Sequence, residues 1–138
     1  MSKKDEILRC ALEIVSLKGM DALTLNSLSE AVGLSKASMY HYFSSKEEII
    51  SQMLDMGHRS IMKNGFLLDL SGEPKDVLEK AAEKWENMFL DEDNWHFLRA
   101  VFSLHLSFPK AQDEYRSLFL MLSSQASVII SSFNTDQE

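Results

Sequence analysis

Apolar residues recur three and four positions apart along most of this chain, which is the period of an amphipathic helix. The first such stripe follows Ser2 and consists of Ile7, Leu8, Ala11, Leu12 and Val15. Alternation with a period of two, which is typical of a half-buried strand, does not persist anywhere. The hydrophobic pattern therefore predicts an all-α fold.

Residues with capping chemistry divide the first part of the chain into short helices. Serine and threonine side chains cap helix N-termini, and glycine is favoured just after a C-terminus. The residues with this chemistry at helix boundaries are Ser2, Gly19, Thr24, Gly33 and Ser35. They predict one helix before Gly19, a second from Thr24 to Gly33, and a third that starts after Ser35.

Later start signals predict four longer helices. Ser45 and Glu48 have the spacing of a capping box, which opens a fourth helix from Lys46 to about Lys63. Residues 64–72 are expected to connect it to a fifth helix with Pro74 in its first turn. The acidic run 91–94 separates that helix from a sixth, and the seventh is expected from about Lys110 to Phe133.

The segment from Thr24 to Lys46 has the pattern of a helix-turn-helix. Its two short helices are joined by a tight turn over residues 31–35, and such a motif can place its second helix in a DNA major groove. Met39 and Phe43 are predicted to face inward on the second helix. The outward positions are Lys36, Ser38, His41 and Tyr42. The alternative is a small helical bundle whose polar face is only solvated.

Composition and charge narrow the class of protein. The chain has 138 residues, of which 45% are apolar and 25% charged, so it is globular. The net charge of −7 argues against nucleic acid, but residues 1–50 carry only −1 and residues 51–138 carry −6. No acidic residue occurs from Ala31 to Lys46, which is compatible with DNA binding by the first part alone.

The segment that contains these motifs resembles the N-terminal head of the TetR family of transcriptional regulators. The resemblance rests on Thr24 before the second helix, on Ala31-Val32-Gly33-Leu34-Ser35 in the turn, and on Tyr40-His41-Tyr42-Phe43 followed by Lys46-Glu47-Glu48. It is dense over residues 5–54. It implies a three-helix DNA-binding head (residues 1–45), a connecting fourth helix, and a ligand-binding and dimerisation body (residues 46–138).

The resemblance also implies roles for single residues of the head. Side chains expected at base edges or nearby phosphates are Ser35, Lys36, Ser38 and His41. Side chains expected on backbone phosphates are Thr24, Tyr40, Tyr42 and Lys46. Ala37 occupies a place where the family prefers a small residue, which allows the helix to approach DNA closely.

The body offers a weaker prediction of a ligand pocket for an apolar or aromatic compound. Its candidate lining residues are large apolar or aromatic side chains in the second half of the pattern: Met53, Trp85, Phe89, Trp95, Phe102 and His105. Most such residues are core residues in helical proteins, so the alternative is a packed interior. No cofactor and no metal ion are expected, because the histidines lack partners at ligand spacing.

Other classes of protein are not expected. The longest uninterrupted apolar run, Leu118–Leu122, is far shorter than the roughly 20 residues of a membrane span, and no secretory signal precedes the first helix. The single cysteine, Cys10, suits a reducing compartment and a cytoplasmic location. No glycine-rich phosphate loop and no nucleophile–base pair has recognisable spacing, so an enzyme is not expected.

The sequence thus predicts a ligand-responsive repressor that binds a pseudo-palindromic operator as a homodimer. A helical interaction module that kept the fold and lost DNA binding is the alternative. The resemblance further implies two long dimer-forming helices after the seventh, which this sequence does not show. A truncated chain, a dimer through other surfaces and a short family member are all open at this point.

Overall fold

The computed structural model describes residues 1–65 and 67–134, and in this part of the chain it contains α-helices and no strand. The all-α prediction is confirmed. The helices are α1 (Lys3–Lys18), α2 (Leu25–Val32), α3 (Lys36–Tyr42), α4 (Lys46–Gly65), α5 (Pro74–Leu90), α6 (Glu92–Leu104) and α7 (Pro109–Asn134). A short 3₁₀ turn over Met20–Ala22 was not predicted, because three residues are too few to show a period.

Side-chain caps fix where the first helices begin, as the sequence predicts. The Ser2 hydroxyl accepts a hydrogen bond from the N–H group of Asp5 at 3.1 Å, and the Thr24 hydroxyl accepts one from the N–H group of Ser27 at 3.0 Å. Ser35 caps α3 in the same way. Gly33 ends α2 in the left-handed conformation, with φ of 68°, which a side chain would disfavour.

Only half of the capping box predicted at the start of α4 forms. Ser45 accepts the N–H group of Glu48 at 3.1 Å, as expected. The Glu48 carboxylate does not return to the N–H group of Ser45. It accepts the N–H and hydroxyl groups of Ser44 instead, at 2.7 and 2.6 Å. These two bonds stabilise the ionised carboxylate and lower the pKa of Glu48.

One large apolar core joins the first three helices to α4 and α6. Its fully buried side chains include Ile7 of α1, Leu28 of α2, Met39 of α3, Ile50 of α4 and Phe97 of α6. The core therefore continues across residue 45, where the head was predicted to end. The division into residues 1–45 and 46–138 stays a prediction.

The helices α4 and α6 cross at very short range. Gly57 lies in the middle of α4, and a Cβ atom placed on it would lie 2.5 Å from Cγ of Phe97. No side chain fits between these helices at this point. The missing side chain of Gly57 thus allows the fully buried Phe97 ring to pack directly on the α4 backbone.

Polar pairs hold the first and fourth helices against the last two. Arg9 of α1 donates two bonds to the carboxylate of Asp93 on α6, at 2.8 and 2.9 Å. Lys110 of α7 lies 2.7 Å from Asp55 of α4. A buried hydroxyl, that of Ser16, also lies 2.5 Å from Nδ1 of His96. These contacts orient α6 and α7 relative to α1 and α4.

A second, smaller apolar cluster fastens α7 to α5. Val77 and Ala81 of α5 pack against Ile129 of α7, and Trp85 donates its indole N–H group to Gln125 at 2.8 Å. Both Trp85 and Ile129 therefore serve the contact between these two helices. The predicted break between α5 and α6 is present, but it is confined to Asp91, which accepts a hydrogen bond from the N–H group of Asn94 and caps α6; residues 92–94 already belong to α6.

Among the described helices, α7 alone is long and apolar enough to cross a membrane, with a mean hydropathy of 1.2 over 18 residues. Its longest uninterrupted apolar run, Leu118–Leu122, is short because serine residues divide the apolar positions of this helix. In the structure its first turns pair with α4 and Ile129 packs on α5. It is a bundle helix, yet Phe119, Leu120 and Ile130 remain 61–64% exposed.

Candidate nucleic-acid interface

The outer surface of α3 presents the residues that the sequence assigns to DNA. Lys36, Ala37, Tyr40 and His41 are all exposed. Met39, which points the opposite way, is fully buried, and Phe43 is buried just after the helix. Because these two apolar anchors fix the rotation of α3 about its axis, the four exposed residues lie on the outer side of the helix.

Hydroxyl groups surround that surface at the helix N-termini. Thr24 and Ser35 are exposed caps of α2 and α3, and Ser38 lies one turn into α3 with its hydroxyl 2.9 Å from that of Ser35. The N-terminus of a helix favours anions because its N–H groups and dipole both point outward. The caps therefore stand where phosphate oxygens would be stabilised.

Two of the side chains predicted to contact phosphates already make contacts within the protein. Tyr42 is half-buried and its ring packs against the main core. The ammonium of Lys46 donates to the backbone carbonyl of Met20 at 3.1 Å, which links the start of α4 to the 3₁₀ turn. An ammonium has three N–H groups, so this bond leaves donors for a phosphate.

Two lysines that the sequence analysis did not single out lie beside the helix-turn-helix. The Lys3 ammonium donates to the carbonyl of Val32 at 3.1 Å, in the last turn of α2. The Lys4 ammonium lies 5.4 Å from the centre of the Phe43 ring. Lys3 is also paired with Glu6 at 3.0 Å, so Lys4 is the one of the two that adds uncompensated positive charge near the segment 31–46, which has no acidic residue. Their only sequence signal is their position on the amphipathic first helix.

The structure does not bring the six candidate pocket residues together. Met53 is fully buried in the main core, and Trp85 packs between α5 and α7. Phe89 is exposed near the end of α5. Trp95 and Phe102 line a groove between α6 and α1. Phe102 and His105 are in contact, with ring centres 5.6 Å apart, and His105 also stacks on Tyr115 at 4.7 Å.

A metal site has no support in the described residues. Among residues 1–65 and 67–134, no group of three or more His, Cys, Asp or Glu side chains could hold a metal ion. The pair of His58 and Glu114, 2.7 Å apart, links α4 to α7 and has a structural role.

The structure is an all-helical bundle in which α2 and α3 form a helix-turn-helix with an exposed second helix, and this arrangement defines the class of helix-turn-helix proteins. Comparison with known protein families identifies one family for the N-terminal part of the chain. Residues 7–53 match the model of the bacterial regulatory proteins of the tetR family. This range covers α1 to α3 and the first turns of α4.

Curated relatives are similar over the same part of the chain. The HTH-type transcriptional repressor KstR2 of Mycobacterium tuberculosis is 28% identical over 87 residues, which are 63% of this chain and 39% of the relative. The biofilm operon regulator IcaR of Staphylococcus epidermidis is 38% identical over 52 residues, or 38% of this chain and 28% of the relative. The chain thus spans about two fifths of the KstR2 length, and both relatives are regulators rather than enzymes.

The fold is also similar to solved structures over nearly the whole chain. The TetR family transcriptional regulator PfmR of Thermus thermophilus superposes with a TM-score of 0.71 at 26% identity, covering 95% of this chain and 70% of PfmR. A transcriptional regulator of a Rhodococcus species superposes equally well, at 18% identity. The N-terminal part of the chain, residues 7–53, carries the domain of the tetR family of bacterial regulatory proteins, and the fold of the chain is similar to that of a TetR family transcriptional regulator.

Proposed function

We propose that this protein is a ligand-responsive transcriptional repressor that binds a pseudo-palindromic operator through α3. The observation that carries the proposal is the outer surface of α3, where Lys36, Tyr40 and His41 are exposed on a helix of suitable size for the major groove. Repressor function is a property of the curated relatives with the same head. A cytoplasmic location follows from a DNA target in a bacterial cell.

The roles within this interface follow from position. Side chains of α3 reach base edges and supply sequence preference, whereas caps and flanking lysines hold phosphates and supply affinity. The net charge of the whole chain is −7, so we expect DNA to approach α3, within the segment 31–46 that has no acidic residue, rather than the acidic body. Because the cationic side chains at this interface bind phosphates and release counterions, binding should weaken as the salt concentration rises.

A mobility-shift assay with the DNA upstream of the gene for this chain tests the proposal. Binding should be specific, and Lys36→Glu should abolish it. Lys75→Glu, an equivalent charge reversal at an exposed position of α5, should bind as the unchanged protein does. If none of the three proteins binds above non-specific affinity, the alternative of a helical interaction module without DNA binding is favoured.

We further propose that the protein acts as a two-fold symmetric dimer. A pseudo-palindromic operator requires two copies of α3 about 34–36 Å apart. The exposed apolar side chains of α7, including Phe119, Leu120 and Ile130, supply the kind of surface that associates in water.

Light scattering at micromolar concentration should therefore return about twice the chain mass of 15.7 kDa. Phe119→Asp should shift the protein toward the monomer, because an isolated carboxylate is costly to bury in an apolar interface. Ser124→Asp, at an exposed polar position of the same helix, is the matched control and should leave the mass unchanged. A mass of 15.7 kDa for the unchanged protein would rule out this dimer.

The Lys46→Ala variant should bind all DNA sequences more weakly by a similar factor, because phosphate contacts carry no sequence information. The slope of log K against log salt should become flatter by roughly 0.9 for each half-site, or about 1.8 for a dimer. Lys46→Arg keeps the charge and should keep the slope. A thermal melt of each variant separates this effect from loss of the bond to Met20. A changed base preference with an unchanged slope would contradict this placement of Lys46.

A further inference from the structure

A groove of about 670 Å³ runs between the C-terminal end of α1 and the outer face of α6. Val15 and Leu17 form one wall, and Trp95, Leu98, Arg99 and Phe102 form the other. Its volume is within the range of small-molecule sites. The groove lies at the junction between the helix-turn-helix head and the body.

Three large apolar side chains of this groove are exposed to solvent. Leu17 is 54% exposed, Trp95 is 48% exposed and Phe102 is 66% exposed. Trp95 and Phe102 are seven residues apart on α6, which is two helical turns, so both rings lie on the same face. Together they offer two aromatic surfaces along about 10 Å of helix, since each residue adds about 1.5 Å.

Arg99 lies between these two rings and is the charged residue among the described residues of the lining. Its Nε donates to the carbonyl of Ser16 at 3.1 Å, which fixes the guanidinium at the groove. The guanidinium carbon lies 5.9 Å from the centre of the Trp95 ring. A guanidinium has further N–H donors in a planar fork that matches a carboxylate.

We propose that this groove binds a planar aromatic carboxylate, with its ring on Trp95 and Phe102 and its carboxylate on Arg99. The lining combines apolar aromatic area with one positive charge and no acidic side chain among the described residues, and this chemistry selects such an anion. The site is distinct from a pocket enclosed within the body, because both of its walls face outward.

The regulatory consequence of this site rests on the proposed function. A ligand in the groove touches α1 of the head and α6 of the body at once, so it favours one arrangement of these helices. If that arrangement differs from the one that fits DNA, ligand and operator must weaken each other by the same factor.

Nuclear magnetic resonance of the two indole N–H groups, those of Trp85 and Trp95, tests the site directly. The probe is 2-naphthoate, and 2-naphthylmethanol is its neutral counterpart of similar size. The Trp95 signal, assigned with Trp85→Phe, should shift saturably with 2-naphthoate while the Trp85 signal stays in place. Arg99→Gln should lower the affinity for 2-naphthoate about tenfold, because it removes a charged hydrogen bond to the carboxylate. The affinity for 2-naphthylmethanol should stay the same.

Two more variants keep the test decisive. Leu17→Glu places a negative charge, like that of the probe, at an exposed position of the other wall. It should also lower the affinity for 2-naphthoate, and it serves as the test if Arg99→Gln misfolds. Arg116→Gln, on the exposed surface of α7, should have no effect. An unmoved Trp95 signal, or equal affinity for both probes in all variants, overturns the proposal. The mobility-shift assay without probe reports on DNA binding separately, so failure of either proposal is recognised independently.

Discussion

Replacing Gly57 with alanine should destabilise the protein by roughly 2 kcal/mol, although alanine is the better helix former by about 1 kcal/mol. The added methyl group would lie 2.5 Å from Cγ and 3.0 Å from Cβ of Phe97. Both are atoms at the base of a fully buried side chain, so the ring cannot swing away without moving α6. Denaturation by urea, followed by circular dichroism, measures the loss.

A double-mutant cycle with Phe97 isolates the cause. In a Phe97→Ala background the ring is gone and only the Cβ atom, 3.0 Å from the added methyl group, remains close, so Gly57→Ala should be near neutral. Phe97→Ala alone should cost about 3–5 kcal/mol by leaving a cavity. If Gly57→Ala costs the same in both backgrounds, the close crossing of α4 and α6 is not the reason.

The second large effect is expected from His41→Ala, which should change the preferred base at one position of each operator half-site. A direct contact to a base edge is worth about 1–3 kcal/mol of discrimination. The fold should be unaffected, because His41 is exposed and α3 is anchored by the buried Met39 and Phe43. Affinities for a set of operators with single base changes measure the preference.

The contrast with Lys46→Ala provides the control for this experiment. Removal of a phosphate contact should lower the affinity for every operator sequence by a similar factor. Removal of the His41 side chain should lower the affinity only for operators with the preferred base. A uniform loss of affinity in His41→Ala would mean that this histidine contacts backbone, and that other residues of α3 determine preference.

Short-range sequence patterns were enough to predict where the first helices begin and end. The caps at Ser2, Thr24 and Ser35 and the stop at Gly33 were predicted correctly. Each of them depends on hydrogen bonds or dihedral angles within about four residues, and such interactions are fully specified by neighbours in sequence. The buried side of α3 followed in the same way, from the spacing of Met39 and Phe43.

Contacts between distant residues required the tertiary structure. The period of a helix shows that Met53 faces inward and Gly57 lies on α4, but it does not show which helix each one meets. Lys46 donates to a carbonyl 26 residues away, and the candidate pocket residues are distributed over separate places in the fold.

The physical reason for this division is the range of the interactions. The sequence by itself determined the helices, their caps and the helix-turn-helix, because backbone hydrogen bonds and apolar periodicity act within one or two turns. The tertiary structure alone decided the α4–α6 crossing at Gly57 and Phe97 and the groove between α1 and α6. Both depend on how closely and at what angle packed helices approach each other, and this is set by side chains from several helices together.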